Sequence, residues 1–140
     1  MQDFVVDIFL TNNSDDPVIE LMQTGVGNDN DVVEDRLVFR VRAFDPDEGN
    51  DDGDGIDFVE MSVYDAEGNR VHRKREDNAG YCAFGEGTPN CTVWDFGDNN
   101  NRWPNGQRLE EGEHTLRARA VANDGGETMQ DFVVDIFLTN

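Results

Sequence analysis

Basic residues are scarce in this chain. Its 140 residues hold 11 Lys and Arg against 31 Asp and Glu, a formal net charge of −20. Such a molecule is repelled by the phosphates of nucleic acid and by an anionic membrane surface, so neither is an expected partner. Long apolar runs are missing too. None approaches the roughly 18 residues that a membrane span needs, and no signal-peptide pattern stands in the sequence. Histidine occurs twice, at His72 and His114, too far apart to complete a zinc site with the cysteines. No serine lies in a nucleophile context, and no carboxylate pair stands out as a glycosidase acid and base. The chain is therefore not expected to be an enzyme. Helical periodicity is the last absence: apolar residues keep period two, and no amphipathic helix can be drawn.

Cysteine is used twice, at Cys82 and Cys91, in YCAFGEGTPNC. Two glycines and a proline between them let the loop turn back, and a redox pair would more often be spaced CxxC. A structural disulfide in an oxidising, extracellular setting is expected; two buried free thiols in a cytosolic domain are the alternative.

What the sequence does contain is an internal repeat. The dodecapeptide MQDFVVDIFLTN fills residues 1–12 and recurs, letter for letter, at 129–140, a period of 128 residues. It alternates as a strand does, with Phe4, Val6, Ile8 and Leu10, and again Phe132, Val134, Ile136 and Leu138, on one face. The other face, with Val133 and Phe137, is half apolar, so cover on both sides is expected for part of its length. One terminal strand copied by design onto the other end would give this pattern. A window cut from a tandem array gives it as well, and explains why Met1 has an internal twin in Met129. On the array reading, residues 1–12 are the last strand of the preceding repeat, or a strand donated to a neighbouring subunit. Residues 13–140 are then one module ending in the same strand.

Between the copies, short alternating segments are separated by turn chemistry. NSDDP at 13–17 reads as a linker. Strands are expected at 17–23, at 36–44 (Leu37, Phe39, Val41 and Ala43 inward, Val38 outward) and at 58–65 (Val59, Met61 and Val63 inward). Further strands are expected at 70–76, 92–96 and 114–122, with a hairpin turn at 66–69 and another at 123–126. About seven strands of this kind make an all-β, antiparallel Greek-key β-sandwich. RVRAFDPDEG after a strand, a strand ending in YDAEGN, and LRARAVANDGGE before the terminal strand resemble the bacterial extracellular immunoglobulin-like and cadherin-like tandem repeats. The resemblance implies an immunoglobulin-like fold, extracellular or on the bacterial cell surface. The antibody-type Cys…Trp…Cys core is not part of it, because both cysteines sit on one loop.

Residues 45–57, DPDEGNDDGDGID, hold seven carboxylates in thirteen residues. Left bare they repel one another; a calcium ion takes six to eight oxygens at flexible geometry and glycine lets backbone wrap around it. Asp45, Asp47, Asn50, Asp52, Asp54 and Asp57 are the candidate ligands, and calcium the expected cofactor. The run from Asn50 to Gly55 resembles the first half of a DxDxDG calcium loop. It departs from an EF-hand at the twelfth place, where Met61 stands, and flanking helices are missing. A solvated acidic loop is the plain alternative. Asn28-Asp29-Asn30-Asp31 resembles the acidic linker of cadherins, although it falls inside the repeat. Asn123-Asp124 could supply further oxygens from a neighbouring turn, but is read as an ordinary hairpin turn.

The leading reading is a structural module of a bacterial surface protein (stalk, adhesin or filament). Its partners are adjacent repeats or copies of itself, head to tail, and a surface glycan or protein receptor. The alternative is a carbohydrate-binding module with Arg102, Trp103 and Asn105 as sugar contacts, although a loop Trp beside a disulfide more often caps a small core.

Overall fold

The computed structural model describes residues 16–24, 32–85 and 91–139. Every regular element in them is a strand. In chain order these are β1 (Val18–Gln23), β2 (Val32–Glu34), β3 (Arg36–Leu37), β4 (Arg40–Phe44) and β5 (Ile56–Tyr64). There follow β6 (Arg70–Glu76), β7 (Tyr81–Cys82), β8 (Trp94–Asp95), β9 (Gly112–Ala122) and β10 (Glu127–Phe137). No helix long and apolar enough to cross a membrane occurs among them.

The strands form one five-stranded sheet in the order β2-β10-β9-β5-β6, a three-stranded sheet β1-β4-β7, and the small pair β3-β8. After the β5-β6 hairpin the chain crosses to the other sheet for β7, then returns as β9 on the far side of β5. That is a Greek-key path, and the molecule is an immunoglobulin-like β-sandwich. The core lies between the sheets. Leu37, Phe39, Val41 and Ala43 meet Val59, Met61, Val63, Leu116, Ala118, Ala120, Val134 and Ile136 there, all buried. The inward alternation expected for these strands is therefore observed, since each strand hides one face.

Four expectations need correction. The pairing is not wholly antiparallel, because β2 runs parallel to β10, with Ile136 opposite Val33. The segment 36–44 is not one strand. Arg36–Leu37 pairs with β8 and Arg40–Phe44 with β1 and β7, so the chain changes sheet between them. Val38 sits at that change and is buried against Cys82 and Cys91 instead of facing water. The terminal strand is covered on one side only: Met129, Val133 and Phe137 are exposed. Residues 1–12, and the Asn28–Asp31 stretch, lie outside the described residues.

Candidate functional site

Backbone economy shapes the acidic segment first. A loop without helices must satisfy its own amides, and several carboxylates are spent on this. Asp52 accepts from the Ala43 amide at 3.0 Å and from the Gly80 amide at 3.3 Å, tying the loop to β4 and to the turn before β7. Asp54 accepts from the Asp51 amide at 3.0 Å. The Asn50 carbonyl takes the Arg42 guanidinium. Asp57 is exposed on β5, beyond the loop. The DxDxDG ladder thus does not converge on one point.

Three other carboxylates do. Asp45, Asp47 and Asp124 each offer an oxygen within 4.8 Å of the others. Asp45 closes β4 and is 1% exposed. Its carboxylate accepts from the Asp47 amide at 3.0 Å, and its own amide donates to the Asp54 carbonyl at 2.7 Å. Asp124 arrives from the β9-β10 turn, because the Asn123 amide donates to the Gly55 carbonyl at 2.8 Å. Gly55 has φ +70°, and a Cβ there would stand 2.8 Å from the Asp45 Cβ, so the close approach requires glycine. Three clustered carboxylates suit a hard divalent cation, with backbone carbonyls or water completing the six to eight oxygens calcium takes. Of the six ligands expected from sequence, Asp45 and Asp47 come together, Asp52, Asp54 and Asp57 stand outside that carboxylate cluster, and the Asn50 carbonyl is taken by Arg42. Asp124, weighed from sequence as a further source of oxygens but read as a turn residue, is brought to them by the tertiary hydrogen bond from Asn123 to Gly55.

Cys82 and Cys91 are bonded, with their Cα atoms 5.5 Å apart. The bond is buried beside Val38 and joins β7 to the segment leading into β8.

The three residues singled out for sugar binding are occupied otherwise. Trp103 is 2% exposed, with its ring 6.0 Å from that of Phe96 and 5.7 Å from that of His114. Arg102 donates to the Gly106 carbonyl at 3.1 Å, and Asn105 accepts from the Gln107 amide at 2.8 Å. Trp94 is half-buried, donating from its indole to the Arg102 carbonyl at 3.0 Å. Trp103 therefore caps the core and presents no free ring face for stacking.

The C-terminal copy of the repeated strand is anchored along its length. β10 pairs with β9 in unbroken register from Gly112 opposite Ile136 to Val121 opposite Glu127. Inward, Val134 and Ile136 are buried, Leu138 packs against the core, and Phe132 meets Phe39 edge-on at 6.2 Å. Outward, Arg117 holds Asp131 at 2.7 Å and Arg119 holds Glu127 at 2.7 Å. The strand's ends are fixed at opposite poles. At one, the Thr128 hydroxyl donates to the Pro17 carbonyl at 2.6 Å. At the other, the Asp35 carboxylate receives the Thr139 hydroxyl and, at 2.9 Å, its amide, while the Asp35 amide donates to the Phe137 carbonyl at 3.1 Å. Those Thr139 hydrogen bonds hold the Asp35 carboxyl below its ordinary pKa. Asp35 itself has φ +62°, a left-handed turn that swings the chain from β2 into β3.

No protein-family model matches the chain, and no curated protein matches it. Solved structures are similar to it at low identity. The fibronectin(III)-like modules of Clostridium thermocellum CbhA share 18% identity at TM-score 0.43, with 95% of this chain covered and 50% of that one. The chain thus spans half the length of that structure. CopC from Methylosinus trichosporium OB3b shares 12% identity over 88% of this chain and 97% of that one, at TM-score 0.42. Murine CRIg shares 9% over 89% and 98%, at TM-score 0.41. The assignment of the fold rests on the strand order above, not on these likenesses.

Proposed function

We propose that this chain is a structural, non-catalytic module of an extracellular bacterial tandem-repeat protein, a stalk, adhesin or filament. It joins to its neighbours head to tail through the repeated strand, and calcium stiffens it. The observation that carries this reading is the placement of β10. A segment whose sequence recurs after 128 residues is an integral strand of the sandwich, and its ends are fastened at opposite poles. Successive modules sharing such a strand run end to end instead of folding back. The disulfide supports an oxidising, extracellular compartment. The Asp45, Asp47 and Asp124 cluster stands at the Pro17 pole, where the linker from a preceding module would arrive, and calcium there would stiffen the junction end. The alternative, a carbohydrate-binding module, loses its platform with Trp103 in the core.

Sedimentation velocity of the intact chain over a concentration series tests the reading. An open-ended series of oligomers that grows with concentration is expected, because a heterologous contact does not close. A single monomeric species throughout would contradict self-association.

A further inference from the structure

Residues 1–12 are identical to 129–140, so the place that β10 occupies beside β9 suits either copy. Seated there, the N-terminal copy would put Phe4, Val6, Ile8 and Leu10 where Phe132, Val134, Ile136 and Leu138 lie, and Thr11 where Thr139 meets Asp35. The two copies differ only in how the chain reaches the site. The C-terminal copy enters from the turn at 123–126, in which the Ala122 amide donates to the Gly126 carbonyl and the Gly125 amide to the Ala122 carbonyl. Its closure is short and local.

The N-terminal copy of the same molecule cannot reach. In native register Thr11 would lie at the Asp35 pole, whereas Pro17 is held at the Thr128 pole. At about 3.3 Å per residue, those poles, eleven residues apart from Thr128 to Thr139, stand roughly 36 Å apart. The chain from Thr11 to Pro17 spans at most about 22 Å at full stretch. The shortfall of roughly 14 Å is too large for side-chain or loop adjustment to close.

We propose that the groove beside β9 is a strand acceptor for the N-terminal dodecapeptide of another molecule of this chain, and never for its own. This rests on the head-to-tail reading above and supplies its acceptor, register and polarity. With the donor's Thr11 at the acceptor's Asp35, the donor's Pro17 pole must lie within about 22 Å of that end. The contact is heterologous and leaves an acceptor at one end and a donor at the other. Affinity comes from the backbone ladder to β9 and from apolar burial together, the mode of strand addition. In the intact chain the resident C-terminal copy competes, favoured by its short turn, so exchange is limited by how readily that strand leaves.

The test uses the full-length chain carrying Val134→Asp and Ile136→Asp, which unseat the resident strand, with the free peptide MQDFVVDIFLTN as probe. On sedimentation the variant is expected to assemble through the N-terminal copies of other molecules. Excess peptide is expected to return it to a one-to-one complex. Register is read separately. Thr115 faces Val133 and Arg117 faces Asp131. A peptide with Val5→Cys should therefore cross-link to Thr115→Cys at least about tenfold faster than to Arg117→Cys, since only the first pair meets disulfide geometry. If the variant is unfolded by itself, recovery of its β-sheet circular dichroism on adding peptide supports the same assignment. A variant that stays a folded monomer and takes up no peptide overturns the proposal. So does one that remains unfolded with peptide, or that cross-links preferentially at Arg117→Cys. Assembly of the unaltered chain with no peptide uptake by the variant would leave the head-to-tail reading standing and remove this acceptor from it.

Discussion

Asp45 and Asp52 are both carboxylates of one acidic loop, yet they do different work. Asp52 is engaged with two backbone amides, and such charge-assisted bonds need no bound ion to stabilise the loop. Asp52→Ala should cost about 1–3 kcal/mol of unfolding free energy in chelator and in calcium alike, read from denaturant midpoints. Asp45, Asp47 and Asp124 face one another, and their repulsion is relieved when a cation sits between them. Millimolar calcium should raise the melting temperature, by an amount corresponding to about 2.7 kcal/mol when calcium is a hundredfold above its Kd. Asp47→Asn with Asp124→Asn should remove that gain. An unchanged melting temperature between chelator and calcium would rule the ion out. Sequence alone showed the acidity and not the division of labour, because amide satisfaction and the approach of the 123–126 turn are tertiary facts.

His72 contributes to the pH response at this scale. Burial against Phe84 lowers its pKa, aided by Lys74 and opposed by its bond to the Ala83 carbonyl. The unfolded chain therefore binds the proton first, and the stability of the neutral form is lost as pH falls from about 6.5 through the depressed folded value. Asp35, held down by Thr139, and Asp65 act lower. At Asp65 burial pushes the pKa up, but the Asn69, Glu67 and Gln107 hydrogen bonds outweigh it. Their contribution is present above the ordinary carboxylate value of 3.8 and is lost as pH falls through their depressed values. Urea midpoints between pH 7.5 and 5.5 should fall less steeply for His72→Phe than for the parent; parallel slopes would contradict the assignment.

At the level of elements, the long strands were legible because burial of one face writes itself into the sequence with period two. Leu116, Ala118, Ala120 and Ala122 on β9 and Val59, Met61 and Val63 on β5 lie inward as their alternation requires. The short elements were not legible. β2 is three residues inside a polar stretch, and its partner Ile136 lies about a hundred residues away, so no local pattern marks the parallel pair. Val38 has a strand's outward phase but falls where the chain changes sheet, beside the disulfide. The disulfide itself was legible from its spacing. It spans a sequence separation of nine, and on the chain-entropy view a loop of that size is worth about 2–3 kcal/mol. Cys82→Ser with Cys91→Ser should lose about that much, measured by chemical denaturation; a loss under about 0.5 kcal/mol would mean that the loop is held by its surroundings.

For the whole molecule, what matters is that the repeated strand is structural. Its inward side chains fill the core, and its ends mark the two poles of the sandwich. Left uncovered, a second copy of so apolar a strand would be poorly solvated; on the outer face of β10, Met129, Val133 and Phe137 are exposed. The net charge of −20 opposes indiscriminate aggregation, so the proposed association would need a specific fit. Part of this was legible from the start, since twelve identical residues at a fixed period announce a repeat. The anchoring of the strand's ends was not legible, because it depends on Thr128 meeting Pro17 and Thr139 meeting Asp35.

The most direct measurement is deletion of residues 1–12, followed by sedimentation equilibrium and circular dichroism side by side with the intact chain. Because β10 already fills its place from the C-terminal copy, the shortened chain should remain folded, with an unchanged thermal transition, and sediment as a monomer. An unfolded product would mean that the N-terminal copy belongs to its own sandwich, and undiminished assembly would mean that the repeated strand is not what joins one molecule to the next.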